Sequence, residues 1–193
     1  MSGTLSVADV GVGDELGELA IPITRTLIVA GAIASRDYQD VHHDHELAAE
    51  RGSPDIFMNI LTTNGLVGRY VTDWAGPGAR LVDVDIRLGA PNYPGDTMVM
   101  RGRVTEVDRA SGTVVVGLRG SNRIGDHVTG VVRLVLPATG AAVEAAPAAV
   151  EAAPAAGEAA PAAVDAAAVD AAAADLAGSG RNGTDTDGHE ERT

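Results

Sequence analysis

The sequence predicts an α+β domain, and three observations carry that reading. Apolar residues Ile60, Leu61, Leu66, Val67, Tyr70, Val71 and Trp74 recur at helical spacing between Asn59 and Trp74, marking one principal helix. Beyond Gly76-Pro77-Gly78 the period shifts toward two. Leu81 to Gly89, Thr97 to Val107, Thr113 to Ser121 and His127 to Leu136 are rich in valine, threonine and isoleucine and read as four strands. Arg109-Ala110-Ser111-Gly112 and Asn122-Arg123-Ile124-Gly125-Asp126 separate the last three, and short glycine-containing connections of this kind make antiparallel hairpins. A long helix followed by such a meander lies on one face of the sheet.

The remaining elements follow in chain order. Residues 1–22 form an N-terminal lead-in. Thr26-Leu-Ile-Val-Ala-Gly-Ala-Ile-Ala34 predicts a short buried helix with Thr26 as its N-cap, a buried strand being the alternative. Ala34 to Asp44 reads as a loop. From His43 to Arg51, alanines at 48 and 49 among charged neighbours, with Gly52 as a stop, predict a short surface helix ending in a glycine cap. The folded domain spans 23–137, a size that forms one hydrophobic core.

After Pro137 the composition changes. Residues 138–193 are dominated by alanine, and units such as Ala148-Ala-Val-Glu-Ala-Ala-Pro154 recur with a seven-residue period. Prolines at 147, 154 and 161 oppose a coiled coil, because each removes a helix hydrogen bond, while alanine buries too little area to offset chain entropy. A disordered, acidic Ala/Pro-rich tail is expected, with transient helix between Ala162 and Leu176. Of the formal net charge of −13, ten acidic residues against Arg181 and Arg192 place −8 in this tail and leave −5 for the rest.

These balances exclude several function classes. With no basic stripe, one phenylalanine and one tryptophan, the chain offers neither a phosphate-tracking nor a base-stacking surface, so nucleic acid is not an expected partner. No apolar run reaches the length of a membrane span, and Asp9, Asp14, Glu15 and Glu18 stand where a secretory signal needs positive charge. A soluble, cytoplasmic protein is expected. The absence of cysteine removes disulfide and thiolate chemistry.

The chemically informative stretch is Ser35-Arg36-Asp37-Tyr38-Gln39-Asp40-Val41-His42-His43-Asp44. It sets Asp37 and His42 five positions apart in a loop, and an imidazole can exchange a proton near neutral pH while a carboxylate orients it or shares a water with it. Taken singly, Asp37 also suits a turn or helix cap, and His42 suits a structural role. His42, His43, Asp44 and His45 have ligand chemistry, yet adjacent side chains seldom aim at one point. His127 and His189 supply no second cluster, so no metal is expected and His43 and His45 are read as solvent-facing.

Ser35-x-Asp37-x-x-x-Val41-His42-x-Asp44, followed by Ala48, Ala49 and Gly52, resembles the signature of the MaoC-like dehydratases, the (R)-specific enoyl-CoA hydratase family. The family usually reads Ser-Gly-Asp-x-Asn-Pro-Ile-His; Arg36, Gln39 and Asp40 depart from it here. With Asp55-Ile-Phe-Met-Asn-Ile-Leu61 and Arg69-Tyr-Val-Thr-Asp-Trp-Ala-Gly-Pro77, the chain is similar to the small MaoC-type subunits of actinobacterial steroid enoyl-CoA hydratases of cholesterol side-chain degradation. The resemblance runs from about Ile23 to Leu136.

It implies a hot-dog fold, an antiparallel sheet wrapped around the long helix, and Asp37 and His42 as the catalytic dyad. The implied reaction adds water to a trans-2-enoyl-CoA thioester, with coenzyme A as part of the substrate and no separate cofactor. A backbone amide near the start of the long helix would stabilise the enolate oxygen, with Asn59 standing where many members have glycine. Phe57 and Met58 are candidates to face a large apolar acyl group such as a steroid, core packing being the competing reading. The resemblance implies a heteromer with a larger subunit holding a second MaoC-like domain and a DUF35-type domain, and an aldolase as a further partner; a homodimer is the alternative. Competing functions are a hot-dog thioesterase, which needs a carboxylate on the long helix where only Asp73 stands, and a non-catalytic acyl-CoA-binding subunit.

Overall fold

The computed structural model describes residues 3–138, so the tail expected over 138–193 lies, but for Ala138, outside the described residues. Five antiparallel strands form one sheet in the order β1-β3-β4-β5-β2: β1 (Glu15–Ile23), β2 (Arg80–Leu88), β3 (Asp96–Asp108), β4 (Thr113–Ser121) and β5 (Asp126–Val135). Three helices precede β2: α1 (Arg25–Ala34), α2 (His45–Glu50) and α3 (Ile60–Ala75). The four expected strands and the principal helix are present. The fifth strand, β1, falls in the segment read from sequence as a lead-in.

Two features hid β1. Gly17 and Pro22 are poor strand formers, and a register shift between Leu16 and Leu19 breaks the alternation that would have exposed the pattern. The proline is tolerated because β1 is an edge strand. Leu16, Ile21 and Ile23 still reach the core, as do Val7 and Val10 ahead of the strand.

α3 packs on β1, β2 and β5 through Val67, Tyr70, Val71 and Ala75, which lie on one stripe of the helix. Opposite them stand Met98, Met100 and Val104 of β3, Val114 and Val116 of β4, and Val128, Val132 and Leu134 of β5, all buried. The outer sheet face carries exposed ion pairs such as Arg101–Glu18 at 2.5 Å and Arg133–Asp83 at 3.5 Å. Pairs this exposed contribute little to stability.

α1 begins two residues earlier than the sequence pattern placed it. Thr24, not Thr26, is the N-cap, its hydroxyl accepting from the Leu27 amide at 3.0 Å. α2 starts at Asp44, whose carboxylate accepts from the amides of Glu46 and Leu47, and Gly52 follows it at φ +85°, the left-handed turn glycine adopts most readily.

The first turn of α3 is tied to the sheet by His127 of β5, which is 2 % exposed. A carbonyl can only accept, so Nδ1–H of His127 donates to the Ala90 carbonyl at 2.7 Å; Nε2 then accepts from the Thr63 hydroxyl at 2.9 Å. Burial pushes the imidazole below its ordinary 6.5, against a smaller opposing effect of the Ala90 bond. The unfolded chain therefore binds more protons than the folded one below that pH. The stability contributed by neutral His127 is full above pH 6.5 and is lost as pH falls through the folded value. Melting midpoints are expected to decline from pH 7.5 to pH 5 and to decline less in His127→Gln; equal slopes in the two proteins would contradict this assignment.

Candidate active site

The loop between α1 and α2 is set by the way α1 ends. The amide of Asp37 donates to the Ala32 carbonyl at 2.9 Å and that of Arg36 to the Ile33 carbonyl at 3.1 Å, the paired bonds of a Schellman C-cap. This geometry needs a left-handed residue between Ser35 and Asp37, and Arg36 sits at φ 57°. The family's usual glycine suits that place without strain; a side-chain-bearing residue there costs about 1–2 kcal/mol. The backbone path is kept in spite of the substitution, so Asp37 leaves the helix end aimed back at the domain.

A short 3-10 turn, Asp40–His42, then delivers His42 to the same spot, with Arg51 holding Asp40 at 2.7 Å. His42 Nε2 lies 3.3 Å from Asp37 Oδ2, with side-chain exposures of 7 % and 17 %. The other ring nitrogen is 2.7 Å from the Phe57 carbonyl, an acceptor only, so Nδ1 carries the proton in the neutral ring. Nε2 of that ring presents its lone pair toward the carboxylate. Two acceptors do not bond to each other directly, and a proton or a water between them satisfies both. The pair is thus built to take a proton and to have the resulting imidazolium stabilised by the carboxylate.

Asn59, 2 % exposed, meets the dyad from the start of α3. Its Oδ1 caps the helix by accepting from the Thr62 amide at 3.0 Å, and its Nδ2 donates to Asp37 Oδ2 at 3.0 Å and to Ser35 Oγ at 2.9 Å. The Ser35 hydroxyl in turn donates a hydrogen bond to the Gly31 carbonyl at 2.7 Å.

Phe57 packs edge-on against the His42 ring at 5.1 Å and against Tyr93 at 6.3 Å. Met58 differs from its expected place in the acyl pocket. Its side chain is 2 % exposed within the core cluster, with its sulfur 3.9 Å from Asn92 Nδ2, because successive residues of extended chain point to opposite sides. Core packing, the competing reading, describes Met58.

The expected oxyanion donor is narrowed by exclusion. Around the start of α3 the amides of Phe57, Met58, Thr62 and Thr63 are bound to Val41 O, Asn92 O, Asn59 Oδ1 and Asn59 O. Those of Asn59, Ile60 and Leu61 have no partner among the described residues, as first-turn amides generally lack one. His43 and His45 are exposed, and His45 joins Arg25 on Asp55, whose carboxyl lies below the ordinary range: desolvation by burial pushes it up, but the Ile56 amide, Arg25 and His45 together outweigh it. Asp73, the carboxylate a thioesterase would need on α3, is exposed and paired with Arg69 at 3.2 Å. Thr63 carries no sequence signal that separates it from other small polar residues, whereas Ser35 opens the motif that contains Asp37 and His42.

The chain is 51 % identical over 123 residues to the 3-oxo-4,17-pregnadiene-20-carboxyl-CoA hydratase beta subunit of Mycobacterium tuberculosis, covering 64 % of this chain and 94 % of that one. It is similar to a chain in the crystal structure of the ChsH1-ChsH2 complex of the same organism, with a TM-score of 0.63 and 50 % identity over 65 % of this chain and 98 % of the other. R-hydratase PhaJ1 from Pseudomonas aeruginosa, at 23 % identity, shares the fold with a TM-score of 0.66 over 74 % of this chain and 92 % of that one. The fold is the hot-dog of these hydratases. The family model described as MaoC-like domain matches residues 10–122, which takes in β1 to β4, all three helices and both members of the dyad, and the chain therefore belongs to the MaoC-like domain family.

Proposed function

We propose that this chain is the dyad-bearing subunit of an enoyl-CoA hydratase that adds water to a steroid side-chain enoyl thioester in sterol catabolism in the cytoplasm. The observation that carries the reading is the Asp37–His42 pair at 3.3 Å, with the histidine tautomer held by the Phe57 carbonyl. The steroid substrate rests on the half-identical relative named as a pregnadiene-carboxyl-CoA hydratase subunit.

The obstacle to the reaction is electronic. Water is a poor nucleophile, and its attack on the β-carbon sends the π electrons through the α-carbon onto the thioester oxygen as an enolate. A water bridging Nε2 and the carboxylate loses a proton to the pair while its oxygen bonds to the β-carbon. The pair then returns a proton to the α-carbon, so the dyad ends as it began. Either member can fill either role in this scheme. The free first-turn amides of α3, at the positive end of the helix dipole, are the groups available to the enolate oxygen. The dyad needs no metal or separate cofactor for these steps.

A partner subunit belongs to the same proposal. β2 is an edge strand with Leu81, Val82 and Leu88 exposed, and Ile60 and Leu61 are exposed at the start of α3. An uncovered edge and apolar residues of this kind are features that a second domain would bury. We place a larger subunit with a second MaoC-like domain there, and an aldolase as a downstream partner. Loss of enoyl-thioester absorbance is expected with a steroid enoyl-CoA when both subunits are present, with little for the chain alone. Release of free coenzyme A without hydration would instead identify a thioesterase, and full activity of the chain alone would identify a homodimer.

A further inference from the structure

We infer that the Asn59 carboxamide is a positioning residue for Asp37 and does not contact substrate; the inference rests on the hydratase reading. Its orientation is determined without reference to function. The Thr62 amide can only donate, so Oδ1 must face it, and Nδ2 is thereby directed at Asp37 Oδ2 and Ser35 Oγ, 3.0 and 2.9 Å away. Each of its polar atoms is engaged: one acceptor bond to the helix amide and two donor bonds. A side chain so committed has no donor left for a substrate oxygen.

The consequence falls on the carboxylate oxygen nearest His42. Oδ2 is at once the acceptor from Asn59 and the atom 3.3 Å from Nε2. A hydrogen bond fixes the direction of the group that accepts it, so Asn59 holds the Asp37 carboxylate pointed at the histidine. Ser35, bonded onward to the Gly31 carbonyl, locks the carboxamide from the α1 side. The N-cap of α3 and the C-cap of α1 are thus joined through one amide group.

Asn59→Ser and Asn59→Asp separate this role from helix capping, because serine and aspartate are as good N-caps as asparagine. In the full chain, assayed in whichever subunit assembly is active, both variants should fold, Asn59→Ser with a melting midpoint near the parent's and Asn59→Asp with a lower one because it buries a second carboxylate. Asn59→Ser should lower kcat by about 10- to 100-fold, as expected for loss of a hydrogen bond to a charged group, with KM within about twofold. Asn59→Asp places two carboxylates in contact that share a proton, and should move the acid limb of the pH–rate profile upward by about one unit or more. Parent-like kcat and pH profile in both variants, with Asp37→Asn inactive, would overturn the positioning role while leaving the hydratase reading intact. A rise in KM at unchanged kcat would also overturn it, by making Asn59 a substrate contact. Full activity in Asp37→Asn would place the failure in the hydratase reading itself.

Discussion

Asp37→Asn is expected to lower kcat/KM for hydration by about 10²- to 10⁴-fold, the range for loss of a general acid–base group, without changing the fold. The substitution is clean because Asn59 Nδ2 lies 3.0 Å from Oδ2 of Asp37. Only an oxygen can accept there, so the new amide orients its oxygen toward Asn59 and His42 and its nitrogen away. The Asn59 contact is kept and the charge is removed, with loss only of the long 3.5 Å bond that Oδ1 accepts from the Gln39 amide. The imidazolium that forms when His42 takes a proton then faces a neutral group. His42→Gln should be comparably inactive, and the double variant no worse than the poorer single one, because the two residues act as a unit. Multiplying losses in the double variant would show that they act independently.

Gly31→Ala is expected to destabilise the domain and to slow the enzyme as well. A β-carbon at Gly31 would stand 2.1 Å from Thr62 Oγ1, 2.9 Å from its Cγ2 and 3.1 Å from its Cβ. Alanine ordinarily adds about 1 kcal/mol to a helix relative to glycine. Here overpacking costs about 1–3 kcal/mol, because two Thr62 side-chain atoms would lie within 3.0 Å of the new carbon and α1 moves away from α3 to relieve them. α1 ends in Ser35 and the loop to Asp37, and α3 begins at Asn59. A shift of one helix against the other therefore pulls the Asp37–Asn59 and Asp37–His42 distances apart, and misplacement by about 1 Å can cost about 10²-fold in rate. Adding Thr62→Ala should recover stability and rate, because it deletes the Oγ1 and Cγ2 atoms in conflict; that hydroxyl is buried without a hydrogen-bond partner. A double variant no better than Gly31→Ala would refute helix contact as the cause.

What could be read directly was whatever is written within a few residues of itself. The helical period of α3 and the twofold period of β2 to β5 survive into the structure because each reports which face of a local element is buried. β1 escaped because its bulge and its Gly17 and Pro22 erase that period, and only pairing with β3 makes it a strand. Thr26 and Thr24 are equivalent caps by residue type, and the choice between them depended on where Ile23 leaves the sheet.

By itself the sequence determined the α+β class and the long helix, since periodicity suffices for those, and it singled out Asp37 and His42 as a candidate pair only through the motif around them. Tertiary structure alone decided how the dyad is held. Asn59 lies 22 positions from Asp37, and Phe57 lies 15 from His42. No local pattern relates such residues; they meet because α1 and α3 approach closely at Gly31 and Thr62. The same packing turned Met58 into the core and left Phe57 against His42, two neighbours with nearly the same apolar character in sequence. A hydrogen bond or a tautomer depends on distances of a few tenths of an ångström, and such distances exist only once the whole chain is folded.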